Sequence, residues 1–197
     1  MLDESLASLI EHADNPSKIE FLLAFDNDDK SSSKGWDTTI CSQENRFCIQ
    51  AFDTHNKHPY SIFPIVPRAW FDQLGHLSQH PLNDAYISQI AWLLDIMVRI
   101  PIRVEHRRFD LTGENHDMTF AQRNLNLLEG NPKNPQDFNY LKQREIRIQV
   151  AHKIATYLAG LGYDMTHWNE AATKKRDPWA NMLAADVNKQ MVQLPTQ

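Results

Sequence analysis

The stretch IEFLLAFDNDDKSSSKGWD, residues 19–37, joins a short apolar run to a turn crowded with carboxylates and an amide. A continuous apolar run of strand length follows Pro16 and Ser17 and stops at the acidic turn, a pattern that predicts a buried strand of an α/β sheet. In open α/β sheets, ligands collect beyond the carboxyl ends of strands. Asp26, Asn27, Asp28 and Asp29 stand at that end of the predicted strand. The turn therefore reads in two ways. Asp, Asn and the serines that follow favour a solvated β-turn. The same density of oxygen ligands also suits Mg²⁺ or Mn²⁺, with a diphosphate supplying oxygens on another face of the ion.

Outward from this stretch, helical and extended patterns alternate. Leu6, Leu9 and Ile10 keep a helical period from Asp3 to Ala13, ended by Asn15-Pro16. Residues 47–53 (FCIQAFD) and 60–66 (YSIFPIV) read as strands, and Pro64 and Pro67 argue that the second is an edge or an irregular end. PRAWFDQLG predicts a short helix with Pro67 near its first turn and Gly75 as its stop. In NDAYISQIAWLLDIM, Asn83 or Asp84 can cap a helix whose apolar stripe is Ile87, Ile90, Ala91, Leu94 and Met97. IPIRVEH is a strand with a polar end. EGNPKNPQD, residues 129–137, is a linker by composition. A long helix is expected over 140–160, with Ile146, Val150, Ile154, Tyr157 and Leu158 in register, and a further one around 179–192.

Composition narrows the function classes. The 197-residue chain is 42% apolar and 23% charged, ordinary globular values that argue against wholesale disorder. A net charge of −5 supplies no global positive field for holding nucleic acid. The most apolar stretch, Ile87 to Ile102, is broken by Ser88, Gln89, Asp95 and Arg99, so no membrane span is expected. The acidic, amphipathic start MLDESLASLIEHAD differs from a signal peptide. Cys41 and Cys48, the only cysteines, make neither a disulfide framework nor a zinc site, which leaves a reducing cytoplasm as the expected location.

Two further constellations carry chemistry. A carboxylate in the first turn of a helix, such as Asp84, serves as a cap through the backbone N–H groups and the helix dipole. A general base needs the same pre-positioned carboxylate aimed at a substrate hydroxyl. In RVEHRRFDLTGENHD, His106 stands at a strand end, and Arg107 and Arg108 could hold phosphate oxygens. His55, His58, His76 and His80 are scattered without metal-site spacing, and there is no P-loop, dinucleotide fingerprint or nucleophile elbow.

Taken in order, these pieces resemble the GT-A glycosyltransferases, especially the family 2 type and its short, bacteriophage-encoded variants. FLLAFDNDD followed by KGWD is similar to the family's DxD stretch, with Asp26-Asn27-Asp28 as a literal DxD and Asp29 beside it. VPRAWFDQLGHLSQHPLNDAYISQIAWLL follows in the family's order, and Asn83-Asp84 takes the place of its Glu-Asp pair, whose Asp is the base of inverting members. IPIRVEHRRFD fits the strand that precedes an extra histidine ligand, here His106. The resemblance covers roughly residues 1–125, and two departures accompany it. The chain opens at the family's first helix, without the strand and Pro-Thr-Arg-like turn that hold the nucleotide base. One acidic turn stands where the family carries two, with features of the first on its left and of the second on its right.

The resemblance implies a truncated GT-A, Rossmann-like three-layer sandwich over residues 1–128, with 129–197 as a linker and appended C-terminal helical segment. It implies a nucleotide-diphosphate sugar as donor and Mn²⁺ or Mg²⁺ held by Asp26, Asp28, Asp29 and His106. Asn27, Arg107 and Arg108 join the carboxylates around the diphosphate, and Asp84 acts as base. The acceptor, whether glycan, protein or modified DNA base, is left open. Two other classes compete: a non-catalytic binding or assembly module that forms a homo-oligomer through the C-terminal helices, and a metal-dependent hydrolase or nuclease using the same carboxylates.

Overall fold

The structure, a computed structural model, describes residues 2–19, 21–23, 30–31, 34–43, 47–54, 61–105 and 141–168. The acidic turn at 26–29, the His106-Arg107-Arg108 triplet, the expected linker at 129–137 and the expected helix at 179–192 lie outside the described residues. In chain order the elements are α1 (Leu2–His12), a 3-10 turn (Pro16–Lys18), β1 (Phe21–Leu23), β2 (Lys30–Ser31), α2 (Trp36–Cys41), β3 (Ile49–Thr54), β4 (Pro64–Pro67), α3 (Arg68–Leu74), α4 (Asn83–Leu94), β5 (Met97–Glu105) and α5 (Leu141–Gly160).

The strands form one five-stranded sheet in the order β1-β4-β3-β5-β2. β4 is antiparallel to both β1 and β3, and β5 is parallel to β3, so β1, β3 and β5 all run the same way. β2 is antiparallel to β5, with Lys30 opposite Glu105. The two prolines of β4 predict an edge or an irregular end; β4 is no edge, since it lies inside the sheet with all four of its residues buried. The strand is short enough that Pro64 and Pro67 are its end residues, paired with Ala51 and Phe21, so the missing N–H groups fall at its termini. The edge position belongs to β1 instead. Between Ala51 and Asp53 the ladder shifts, because β5 advances from Arg99 to Arg103, through Pro101, over the same span.

The sheet carries a core on each face. On one, Ile49 and Val66 meet Leu6 of α1, Trp70 of α3, much of α4 and the inner side of α5. On the other, Ile40 of α2 packs over Phe52, Phe63, Ile65, Ile100, Ile102 and Val104. The fold is α/β, with a thick helical layer and, among the described residues, a single short helix opposite. Period alone misplaces Leu9, which is 66% exposed while Leu6 is buried. Gln50, entirely buried, donates from Nε2 to Ile40 O at 3.2 Å and ties α2 to the sheet.

Helix ends follow local rules with one exception. Pro67 opens α3, and Gly75, at φ 74°, closes it with its N–H on Phe71 O, as expected. α4 ends at Asp95, a non-glycine residue at φ 55°. Ile96 N–H donates to Ala91 O at 2.9 Å and Asp95 N–H to Trp92 O at 3.2 Å, the paired bonds of a Schellman motif. Asp tolerates this left-handed conformation better than bulkier residues, and it turns the chain directly into β5. Met97, expected on the helical stripe, therefore belongs to the strand. The exception is the start of α4: Leu82, and neither Asn83 nor Asp84, stands at the N-cap, with no side-chain cap bond of its own.

α5 belongs to the same core as α4. Ala151, Ile154 and Leu158 are wholly buried, with Val150 and Ala155 close behind, and the polar side of the helix (Lys142, Arg144, Glu145, Gln149) faces solvent. Its far end is anchored at three points. Tyr163 Oη accepts the Phe47 N–H at 3.1 Å, His167 Nε2 donates to Leu94 O at 3.1 Å, and Trp168 is buried in the core. Asp164 Oδ1 shapes this anchor by accepting the Thr166 N–H at 3.0 Å and its hydroxyl at 2.7 Å.

The substitution Ile154→Ala should destabilise the protein by about 2–5 kcal/mol, read as a lower urea midpoint with an unchanged slope. A loss below about 1 kcal/mol would detach α5 from the core. The Asp164 carboxyl is held below its ordinary range, first by the Thr166 N–H, then by the Thr166 hydroxyl, with His167 adding a smaller attraction. A depressed carboxyl contributes stability that is present above its unfolded value and lost as pH falls through its folded one. Asp164→Asn should therefore flatten the decline in melting temperature below about pH 4 relative to the parent protein.

Candidate functional site

β3 and β5 run toward Thr54 and Glu105, and β1 leads toward the same end of the sheet. Lys30, opposite Glu105, begins β2 at that end. The strand that precedes the acidic turn and the strand that follows it thus both meet the carboxyl side of the sheet, where α/β folds place their ligands.

Helix α4 reaches this side from the opposite direction. Its last residues turn through Asp95 and Ile96 into the start of β5, so its C-terminus lies at the amino end of the sheet. Higher up, the Ser88 hydroxyl accepts the Ser61 N–H at 3.0 Å and donates to Ser61 O at 3.4 Å. Ser61 is close before Pro64, where β4 begins beside β3. One hydroxyl thereby satisfies both backbone groups of a buried residue and fixes the helix against the chain entering β4. Asp84 is four residues earlier, on the same face of the helix and about 6 Å nearer the carboxyl side.

Asp84 is half-buried and occupies the second helical position. Its Oδ1 accepts the Ala85 N–H at 2.8 Å. The carboxylate accepts from a backbone donor in the first turn, as the helix dipole favours, while standing at the carboxyl side of the sheet. Of the expected site residues, Asp84 is the one the structure describes. Asp26, Asn27, Asp28, Asp29, His106, Arg107 and Arg108 lie outside the described residues. Among the described residues, no group of three or more His, Cys, Asp or Glu side chains gathers as a metal site, and no helix is long and apolar enough to cross a membrane.

Residues that sequence reasoning passed over complete this corner. Ser61, Ser88 and His80 are buried, and Ser78 lies partly buried beside His80. Ser88 interrupts an otherwise apolar helix pattern, which was the one available signal. His80 had none, because a histidine four residues before an Asp has no recognised spacing.

Replacing Ser88 with Ala should cost about 1–3 kcal/mol, because the buried Ser61 N–H loses its acceptor. The same variant should raise the exchange rate of the Ser61 amide, measured by native-state hydrogen exchange.

Comparison with protein-family models, with curated proteins and with solved structures gave no match.

Proposed function

We propose that this chain is a metal-dependent glycosyltransferase, a relative of the GT-A enzymes that moves a sugar from a nucleotide diphosphate to an acceptor hydroxyl with inversion. One observation carries the proposal: the first turn of α4, with Asp84, stands at the carboxyl side of the sheet, toward which β1 leads into the acidic turn and at which Lys30 leads out of it.

The donor set fits a hard divalent cation. Asp26, Asp28 and Asp29 supply oxygens and His106 one nitrogen, a set suited to Mn²⁺ or Mg²⁺. Bound there, the ion would neutralise charge developing on the diphosphate leaving group. Asn27, Arg107 and Arg108 would hold diphosphate oxygens through N–H donors, which position the donor sugar. Asp84 accepts the proton of the acceptor hydroxyl as that oxygen forms its bond to the anomeric carbon. The bond from the anomeric carbon to the diphosphate oxygen breaks, and its electron pair leaves with the nucleoside diphosphate. Attack and departure on opposite faces invert the anomeric centre. The Ala85 N–H, by holding Oδ1, keeps the carboxylate oriented for this role.

Asp84→Asn should leave nucleotide-sugar binding intact and lower turnover by about 10²–10⁴-fold. Calorimetry with UDP, GDP and TDP sugars, with and without Mn²⁺, should show binding that requires the metal. Full activity in Asp84→Asn would remove Asp84 from the base role. Absence of binding by any nucleotide sugar would leave a non-catalytic binding module as the better account, and phosphodiester cleavage without a sugar would favour a hydrolase.

A further inference from the structure

The approach to α4 has an unusual construction. Ser78 Oγ accepts the His80 N–H at 3.1 Å and donates to His80 O at 2.8 Å, gripping both backbone groups of one residue. His80 is 4% exposed, and its Nδ1 accepts the Leu82 N–H at 3.0 Å. Leu82 O then accepts the Tyr86 N–H at 3.0 Å, the first bond of the helix. Between His80 and Leu82, Pro81 has no N–H to offer and disfavours a helical conformation at the residue before it. The Leu82 N–H is a donor at a helix start, where intrahelical partners do not exist. At this position Asn or Asp normally supplies the acceptor, through a side-chain oxygen bonded to the N–H two residues on. Here an imidazole nitrogen takes that place, which fixes the ring as neutral with its hydrogen on Nε2.

We propose that His80 is a positioning residue for Asp84. By holding the Leu82 N–H it sets where the first turn of α4 begins, and hence where the Asp84 carboxylate points. The catalytic part of this role rests on the assignment of Asp84 as base; the structural part does not. Two side chains act in series: Ser78 fixes the backbone of His80, the His80 ring fixes the Leu82 N–H, and the turn that starts at Leu82 carries Asp84. The bond from Ala85 N–H to Asp84 Oδ1 reports the outcome, because it forms only when the carboxylate lies back over the first turn. Hydrophobic burial of Leu82 alone would not demand an acceptor at His80 Nδ1, and this separates the two accounts.

The test compares His80→Asn, which keeps an acceptor at nearly the same place, with His80→Phe, which fills the space without one. Hydrogen exchange at the Leu82 and Ala85 amides, and kcat and donor KM, are measured on both and on the parent protein. His80→Asn should match the parent in exchange and in kcat. His80→Phe should exchange about tenfold faster at both amides and lose about tenfold in kcat, with donor KM unchanged. If His80→Phe does not fold, Ser78→Ala carries the same comparison, with a smaller change in the same direction. Parent-like protection in His80→Phe, or equal damage in His80→Asn and His80→Phe, overturns the proposal. If the parent protein turns over no nucleotide sugar, the transferase assignment fails on that result, and the exchange rates of the same variants decide whether His80 holds the turn.

Discussion

Helix α4 is enclosed on nearly every side: Tyr86, Ile87, Ile90, Ala91 and Leu94 are wholly buried between the sheet, α3 and α5. Each Ile or Leu among them contributes about 1.5–3 kcal/mol relative to exposure, more than a typical net hydrogen bond. That enclosure determines the rest. It fixes the height of the helix against the sheet, so that the Ser88 hydroxyl meets Ser61 and the first turn emerges at the carboxyl side. The polar bonds select a register within a position that apolar packing has already chosen.

The two ends of α4 are built differently. The C-terminal end turns within two residues into β5, through Asp95 in a left-handed conformation, and leaves no slack between helix and sheet. The N-terminal end is approached through a loop in which Ser78, His80 and Leu82 are linked by successive hydrogen bonds. A rigid helix with a specified start delivers a side chain more reproducibly than a loop does, the usual requirement for a group that must meet a substrate in one orientation.

Local rules in the sequence located most elements. Pro67 and Gly75 bracket α3, the periodic apolar residues mark α4 and α5, and β3 and β5 lie where their patterns put them. Strand order was not legible, because it depends on which edges pair and not on any segment alone. The prolines of β4 are the plainest case, since a position inside the sheet is tolerable only in a strand short enough to end on them. α2 was passed over as well, although Gly35, at φ 70°, punctuates its start, because six residues give too few turns for a period to show. At the candidate site, Asp84 was visible from its helix. His80 was not, because its role depends on the direction of one ring nitrogen, which spacing does not encode.

The Tyr163–Phe47 bond joins residues 116 positions apart. Its consequence concerns the order in which the molecule can be made. During synthesis, the strands and α4 leave the ribosome well before α5 and its Trp168 anchor. In that interval the outward side of α4, later covered by Ile154 and Leu158, faces water. Contacts this distant in sequence form slowly, since a long loop must close before they are rewarded. The nascent chain therefore passes through a stage in which an apolar helix surface is exposed, a state prone to self-association and a substrate for chaperones. The segment that completes the core also ends that vulnerability, and truncation before Trp168 would prolong it.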